Sequence, residues 1–252
     1  MSVWSYLPKE HGSWSLALEP IMLGLLVVPS RGGAALAFGA CAAYLARRPA
    51  RLALTAPDLP SRRAAATVLI SACGLAAAGL LAAARVGGGR DLWPLLLCLP
   101  FGVYFTACDM RGKAREITAE LAGAATFSLL PATFATLADW AAAPALSLAA
   151  LMMVRSLPAV LLVRTYLRRA KGQIASAALS LLVALAGTGL VSVLAGASLV
   201  PDPALWLALL LLGRTCALLG FRRLVIGARI LGWSEAVLGA VYLIALAVAY
   251  RL

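Results

Sequence analysis

Nine runs of about 15 to 22 mostly apolar residues, separated by short polar connections, set what this chain can become. They fall near residues 14–29, 32–46, 64–84, 93–107, 118–137, 142–163, 175–198, 203–220 and 233–250. A bilayer core takes about 20 residues of α-helix to cross, so each run reads as a span, with the short second and fourth extended by their neighbours or tilted. The runs are continuous, whereas the strands of a membrane β-barrel alternate. With 63% hydrophobic and 13% charged residues, and a mean hydropathy of +0.94, the 252 residues carry more apolar surface than a soluble core can hide. The expected fold is all-α, a polytopic bundle of about nine transmembrane helices forming one domain over residues 1–252.

The charges orient that bundle. Lys9, the 47–63 loop (Arg47, Arg48, Arg51, Arg62, Arg63), the 111–115 loop (Arg111, Lys113, Arg115), the 164–171 loop (Arg164, Arg168, Arg169, Lys171) and the 222–229 loop (Arg222, Arg223, Arg229) all fall on one side. They account for 16 of the 22 basic residues. Arg31, Arg85, Arg90 and Arg251 fall on the other, and Arg155 and Arg214 lie inside spans. This positive-inside pattern places the N-terminus in the cytoplasm and the C-terminus outside. It also accounts for the net charge of +12 without nucleic acid, since basic loops meet anionic lipid headgroups. The five cysteines show no CxxC spacing and read as small packing residues. The N-terminal segment does not fit a cleavable signal peptide, because Lys9, Glu10 and His11 precede its apolar run and Glu19 interrupts it.

Polar groups in so apolar a chain need partners. Pro8-Lys9-Glu10-His11-Gly12-Ser13-Trp14 puts a cation, an acid and the only histidine at the mouth of the first span, and Glu19 follows before Pro20. On an ideal helix Glu19 lies ~12 Å below His11 on nearly the same face. Glu19 calls for a buried cation, with Lys9, Arg155 and Arg214 as candidates. His11 fits either a structural hydrogen bond or proton transfer. An arginine at a span centre costs about 2.5–3.5 kcal/mol on insertion scales, so Arg155 is expected to face the interior. Arg214, nearer a span end, fits the interior or a snorkelling position at the interface. Glu235 reads as a first-turn carboxylate of the ninth span, favoured by the helix dipole and capped by Ser234, or as a substrate-binding group.

The fourth connection, Asp109-Met110-Arg111-Gly112-Lys113-Ala114-Arg115-Glu116, runs into Glu120 four residues further on. Glu116 and Glu120 share a helical face, and Asp109, Arg111 and Arg115 are their expected partners, with Glu120 turned toward the bundle. The segment fits a salt-bridged helix anchor or the rim of a cavity. Together these groups outline a cytoplasmic vestibule walled by the N-terminal motif and closed by Arg155, Arg214, Glu120 and the basic loops. One histidine, scattered cysteines and no paired aspartates give no metal centre, and no nucleotide loop or Ser-His-Asp set occurs.

The opening Pro-Lys-Glu-His-Gly-Ser-Trp-Ser-Leu-Ala-Leu-Glu-Pro, followed by Leu23-Gly24, resembles the YwiC-like family of bacterial membrane proteins, which implies a multi-pass protein of the bacterial inner membrane. A more distant resemblance is to the UbiA superfamily of intramembrane prenyltransferases, nine-helix proteins with cytoplasmic active-site loops. Where that superfamily carries Asp-rich, magnesium-binding stretches, this chain reads Tyr44-Leu45-Ala46-Arg47-Arg48-Pro49-Ala50-Arg51 and Arg164-Thr165-Tyr166-Leu167-Arg168-Arg169-Ala170-Lys171-Gly172. No magnesium is therefore expected. Arg47 with Arg51, and Arg164 with Arg168, each four apart, can instead grip a phosphate by forked hydrogen bonds.

The expected function is an intramembrane enzyme acting on an isoprenoid or phosphorylated lipid held in a cationic cavity. Its acid–base groups would be His11, Glu10 and Glu19. Lys9, Arg47, Arg51, Asp109, Arg111, Lys113, Arg115, Glu116, Glu120, Arg155, Arg164, Arg168, Arg214 and Glu235 would bind substrate. A transporter or lipid-binding carrier is the competing class, and a scaffold the third. A cavity open sideways to lipid separates the first from a polar path reaching both membrane faces.

Overall fold

The apolar runs do fold as helices. A computed structural model describes residues 11–220 and 227–252, with side chains from Trp14 onward. In chain order the helices are α1 (His11–Val27), α2 (Arg31–Thr55), α3 (Leu59–Gly87), α4 (Leu95–Met110), α5 (Ile117–Ser128), α6 (Leu130–Thr136), α7 (Ala142–Ala170), α8 (Ala178–Gly196), α9 (Pro203–Gly220) and α10 (Ala228–Ala249). A 3-10 turn, Gly89–Leu92, leads into α4. α5 and α6 form one span broken near Leu129, where Pro131 removes a backbone donor. Counting them together gives nine rods among the described residues, one for each apolar run. Seven are long and apolar enough to cross a membrane. The other two are α1, whose apolar part Trp14–Val27 is shorter, and α2, rich in glycine and alanine and carrying four arginines.

Several helices outrun their apolar stretches. α2 continues to Thr55 and α7 to Ala170, so Arg47, Arg51, Arg164 and Arg168 sit on terminal helical turns and not in loops. Helix is the cheapest way to satisfy the backbone near lipid, while the long arginine stems reach toward water. α3 begins at Leu59 behind an N-cap in which the Asp58 carboxylate accepts from Ser61 N at 2.7 Å. α10 begins at Ala228, five residues before the expected start of the ninth run. Glu235 is thus about two turns into the helix, which removes the first-turn explanation for it. Arg229 and Gly232 dilute the apolar pattern there and hid the true start.

The bundle is sorted by burial. In their most apolar 18-residue stretches, two thirds of the α5–α6 span and 61% of α7 are enclosed, against 11% of α3, which shows lipid residues such as Ile70 and Leu81. α7 touches α5, α6, α8, α9 and α10, while α1 lies against α2, α5, α6 and α10. Small residues let backbones meet. A Cβ added to Gly79 of α3 would lie 2.6 Å from Gly39 N of α2 and 2.9 Å from Ala35 O. The Phe134 ring of α6 fills the space that Gly24 of α1 leaves open. One core cluster, including Leu23, Leu148, Leu151, Met152, Tyr242 and Leu246, joins α1, α7 and α10 in mid-bundle.

Candidate functional site

Four helices each contribute one charged side chain to a single buried cluster. Glu19 comes from α1, Arg155 from α7, Arg214 from α9 and Glu235 from α10. The last three residues lie far apart in sequence, and the antiparallel course of the helices brings them to one level. At 1.5 Å rise per residue, Glu19, Glu235 and Arg214 stand roughly 9–12 Å inside the helix ends nearest the basic connections.

Arg155 is the hub, with its side chain 3% exposed. Its Nη1 donates to Glu235 Oε2 at 3.1 Å and its Nη2 to the Glu235 carbonyl at 2.8 Å. Nη2 also pairs with Glu19 Oε1 at 3.5 Å. Ser15, one turn above, donates its hydroxyl to the same Glu19 oxygen. Arg214 Nη1 bonds the other Glu235 oxygen, and its Nη2 reaches Ser234 Oγ at 3.2 Å. Two guanidinium groups and two carboxylates leave the cluster formally neutral, which is what makes four ionised groups tolerable in so apolar a place. Arg155 Nε is buried without a partner among the described residues. Below the cluster, Tyr242 donates to Leu151 O at 2.8 Å and closes the floor.

The cluster has a side opening. A groove of about 480 Å³ runs along α9 and α10, walled by Ile230, Trp233, Val237, Leu238 and Val241, with Arg214 and Ser234 as its polar members. Trp233 and Val237 are exposed on the lipid-facing side. Only two of Arg214's five N–H donors are engaged by Glu235 and Ser234.

The remaining predicted residues separate into other groups, so the single vestibule expected from the sequence resolves into distinct ion pairs. Arg47 of α2 donates through Nε and Nη2 to Asp109 Oδ2 of α4, both at 3.2 Å, and its guanidinium lies 4.4 Å from the Phe105 ring centroid. Tyr44 packs between Trp14 and Phe127 beside it. Arg164 of α7 pairs with Glu120 of α5 at 2.8 Å and with the Arg115 carbonyl at 2.7 Å. Nine residues separate Arg164 from Arg155, about 13 Å along α7. Glu116 pairs with Lys113 at 3.3 Å on the surface. Asp109, Glu116 and Glu120 thus take Arg47, Lys113 and Arg164 as partners, where the sequence pointed to Arg111 and Arg115. Glu120 is partly exposed, its carboxylate turned to Arg164 of α7.

The two arginine pairs proposed as phosphate forks also divide. Arg47 and Arg164 are each committed to a carboxylate, while Arg51 is exposed and Arg168 bonds Gln173 at 3.2 Å. Arg111 is exposed. Lys9 and Glu10 lie outside the described residues, and His11 opens α1 with its side chain outside them. Among the described residues, no three His, Cys, Asp or Glu side chains gather as metal ligands.

Sequence reasoning did not reach Ser15 or Gly239, and it gave Ser234 a capping role where its hydroxyl instead accepts from Arg214. Ser15 was within reach, since it stands one turn from Glu19 on the same face. Gly239 was not. It matters because a Cβ there would collide with the Glu19 carboxylate.

No curated protein and no solved structure matches the chain. A family model described as YwiC-like protein matches residues 7–135, just over half of the chain. The match spans the N-terminal motif and α1 through most of α6, so it holds Glu19, Arg47, Asp109 and Glu120, while Arg155, Arg214 and Glu235 lie beyond it. By that match over half of its length, the chain belongs to the YwiC-like family.

Proposed function

We propose that the protein binds the anionic headgroup of an isoprenoid or other phosphorylated lipid at Arg214 and acts on it within the membrane. One observation carries this reading: an apolar groove facing lipid ends on an arginine that is itself wired into the buried Glu19–Arg155–Glu235 cluster. An acyl or prenyl chain would lie along Val241, Val237 and Trp233, and its phosphate would take the Arg214 donors left open by Glu235 and Ser234. Guanidinium binds phosphate without a bridging metal. The anion site therefore moves from the helix-end arginines to the bundle interior.

Chemistry on such a substrate would draw on carboxylates already held in place. Glu235 is fixed at both oxygens, and Glu19 by Ser15 and Arg155. His11, two turns above Glu19 on α1, is the proposed proton-transfer group, with Glu10 beside it in sequence. These are suitable groups for a metal-independent transfer or a proton-initiated rearrangement. The resemblance to the UbiA superfamily favours an isoprenoid. Against transport, the residues below the cluster (Leu148, Leu151, Met152, Tyr242 and Leu246) are each at most 1% exposed and separate it from the opposite end of the bundle.

The test uses purified protein in detergent with farnesyl diphosphate, with farnesol and inorganic diphosphate as controls. Farnesyl diphosphate is expected to bind best, with or without magnesium, and the charge-balanced pair Arg214→Gln with Glu235→Gln to weaken it about tenfold or more. Labelled farnesyl diphosphate is expected to yield product in both conditions. Binding without product would move the reading to a lipid carrier, and absence of binding would remove the lipid-headgroup reading.

A further inference from the structure

A second groove lies at the other end of the bundle, away from the basic connections and from the cluster described above. It measures about 590 Å³ and is lined by Trp140, Pro144, Ser198, Pro201, Asp202 and Tyr250, among others. These come from three separate connections: the turn before α7, the α8–α9 turn and the end of α10. The Trp140 and Tyr250 rings stand 5.6 Å apart at 42°, forming an aromatic corner. Facing the same groove, Asp202 is held between Pro201 and Pro203, and its carboxylate makes no hydrogen bond or ion pair among the described residues. Arg251, next to Tyr250 in the chain, donates to Leu26 O. The Tyr250 hydroxyl is buried without a partner among the described residues.

Two turns that frame this groove share an unusual backbone. Ser198 has φ 57° and Asp139, which precedes Trp140, has φ 62°. They are the only non-glycine residues with positive φ among the described residues. Each closes a helix with a six-to-one hydrogen bond, Leu199 N to Leu194 O and Trp140 N to Ala135 O, at the position where glycine is least strained. Side chains are kept at both places despite that strain, and strained backbone held by its surroundings clusters at binding sites.

We propose that this groove binds an ammonium group. Aromatic ring faces attract a cation through their quadrupole, and a cation is the one charge that an unpaired carboxylate rewards. An anion would meet Asp202 unfavourably, and a neutral ligand would leave it unused. The ammonium is borne either by a lipid headgroup at that membrane face or by a small soluble amine. The site is independent of the lipid-phosphate reading, which concerns the opposite end of the bundle.

The test is fluorine NMR on 5-fluorotryptophan-labelled protein in detergent, titrated with choline, with the Trp140 signal assigned by Trp140→Phe. Choline is expected to shift that signal saturably in the millimolar range. Its neutral isostere 3,3-dimethyl-1-butanol should shift it much less. Asp202→Asn, an exposed isosteric change, should weaken choline roughly fivefold or more. An equal response to the neutral isostere, an unchanged affinity in Asp202→Asn, or no choline response would each overturn the proposal. Repeating the titration in phosphatidylglycerol nanodiscs with and without phosphatidylethanolamine assigns the source. A raised choline midpoint with phosphatidylethanolamine supports a lipid headgroup, and an unchanged midpoint supports a soluble amine.

Discussion

Arg155 holds Glu235 twice, through the carboxylate at 3.1 Å and through the backbone carbonyl of the same residue at 2.8 Å. The first contact balances charge and the second fixes the position of α10 against α7. With Glu19 as its other partner, Arg155 is the group on which three helices depend. Arg155→Met should therefore cost about 3–5 kcal/mol, because it leaves the Glu19 carboxylate without a counter-ion beside the Arg214–Glu235 pair. Removing that acid as well, in Arg155→Met with Glu19→Gln, should recover much of that loss. Unfolding in a denaturing detergent titration measures both, and a double variant no more stable than the single one would refute the charge-balance account.

Gly239 makes room for Glu19. An alanine there would push the carboxylate away from Arg155, at a cost of about 1–3 kcal/mol. The same Gly239→Ala change in a Glu19→Ala background should be nearly neutral, since the obstructing group is gone. A double-mutant cycle tests this, and it fails if the two changes simply add.

The contact of α2 with α3 rests on two glycines whose backbones meet. Gly79→Leu should separate the pair and cost about 3 kcal/mol, because its Cβ has backbone and not a movable side chain in its way. Gly74, on the same helix with open space around it, should accept leucine with little change. Comparing the thermal unfolding of the two variants is sufficient. Equal effects would show that helix propensity, and not close approach, governs both.

Asp58 offers a pH dependence with a defined sign. Bonds from the Ser61 side chain and from Ser61 N–H hold its carboxyl below the ordinary aspartate range. A folded-state value below the unfolded one means that the cap stabilises α3 above the ordinary aspartate range. That stabilisation disappears as pH falls through the folded value. Wild type should accordingly unfold slightly above Asp58→Asn at pH 7, with the gap closing toward pH 3. A gap independent of pH would mean that the carboxylate charge plays no part.

The class of the protein and the number of its rods follow from the pattern of apolar and basic residues alone. Apolar runs too long for a soluble core, placed between basic connections, have few solutions other than a helical membrane bundle, because lipid forbids an unsatisfied backbone. The same pattern also determined which polar groups would need partners, since Glu19, Arg155 and Arg214 each interrupt apolar sequence. Which charge meets which was decided by tertiary structure alone. Arg155 and Glu235 are 80 residues apart. No local spacing relates them, and the helix periodicity that pairs Ser15 with Glu19 is silent across helices. The early start of α10 shows why: once Glu235 stands two turns inside the helix, the dipole at its end no longer explains it, and only a cation from another helix can.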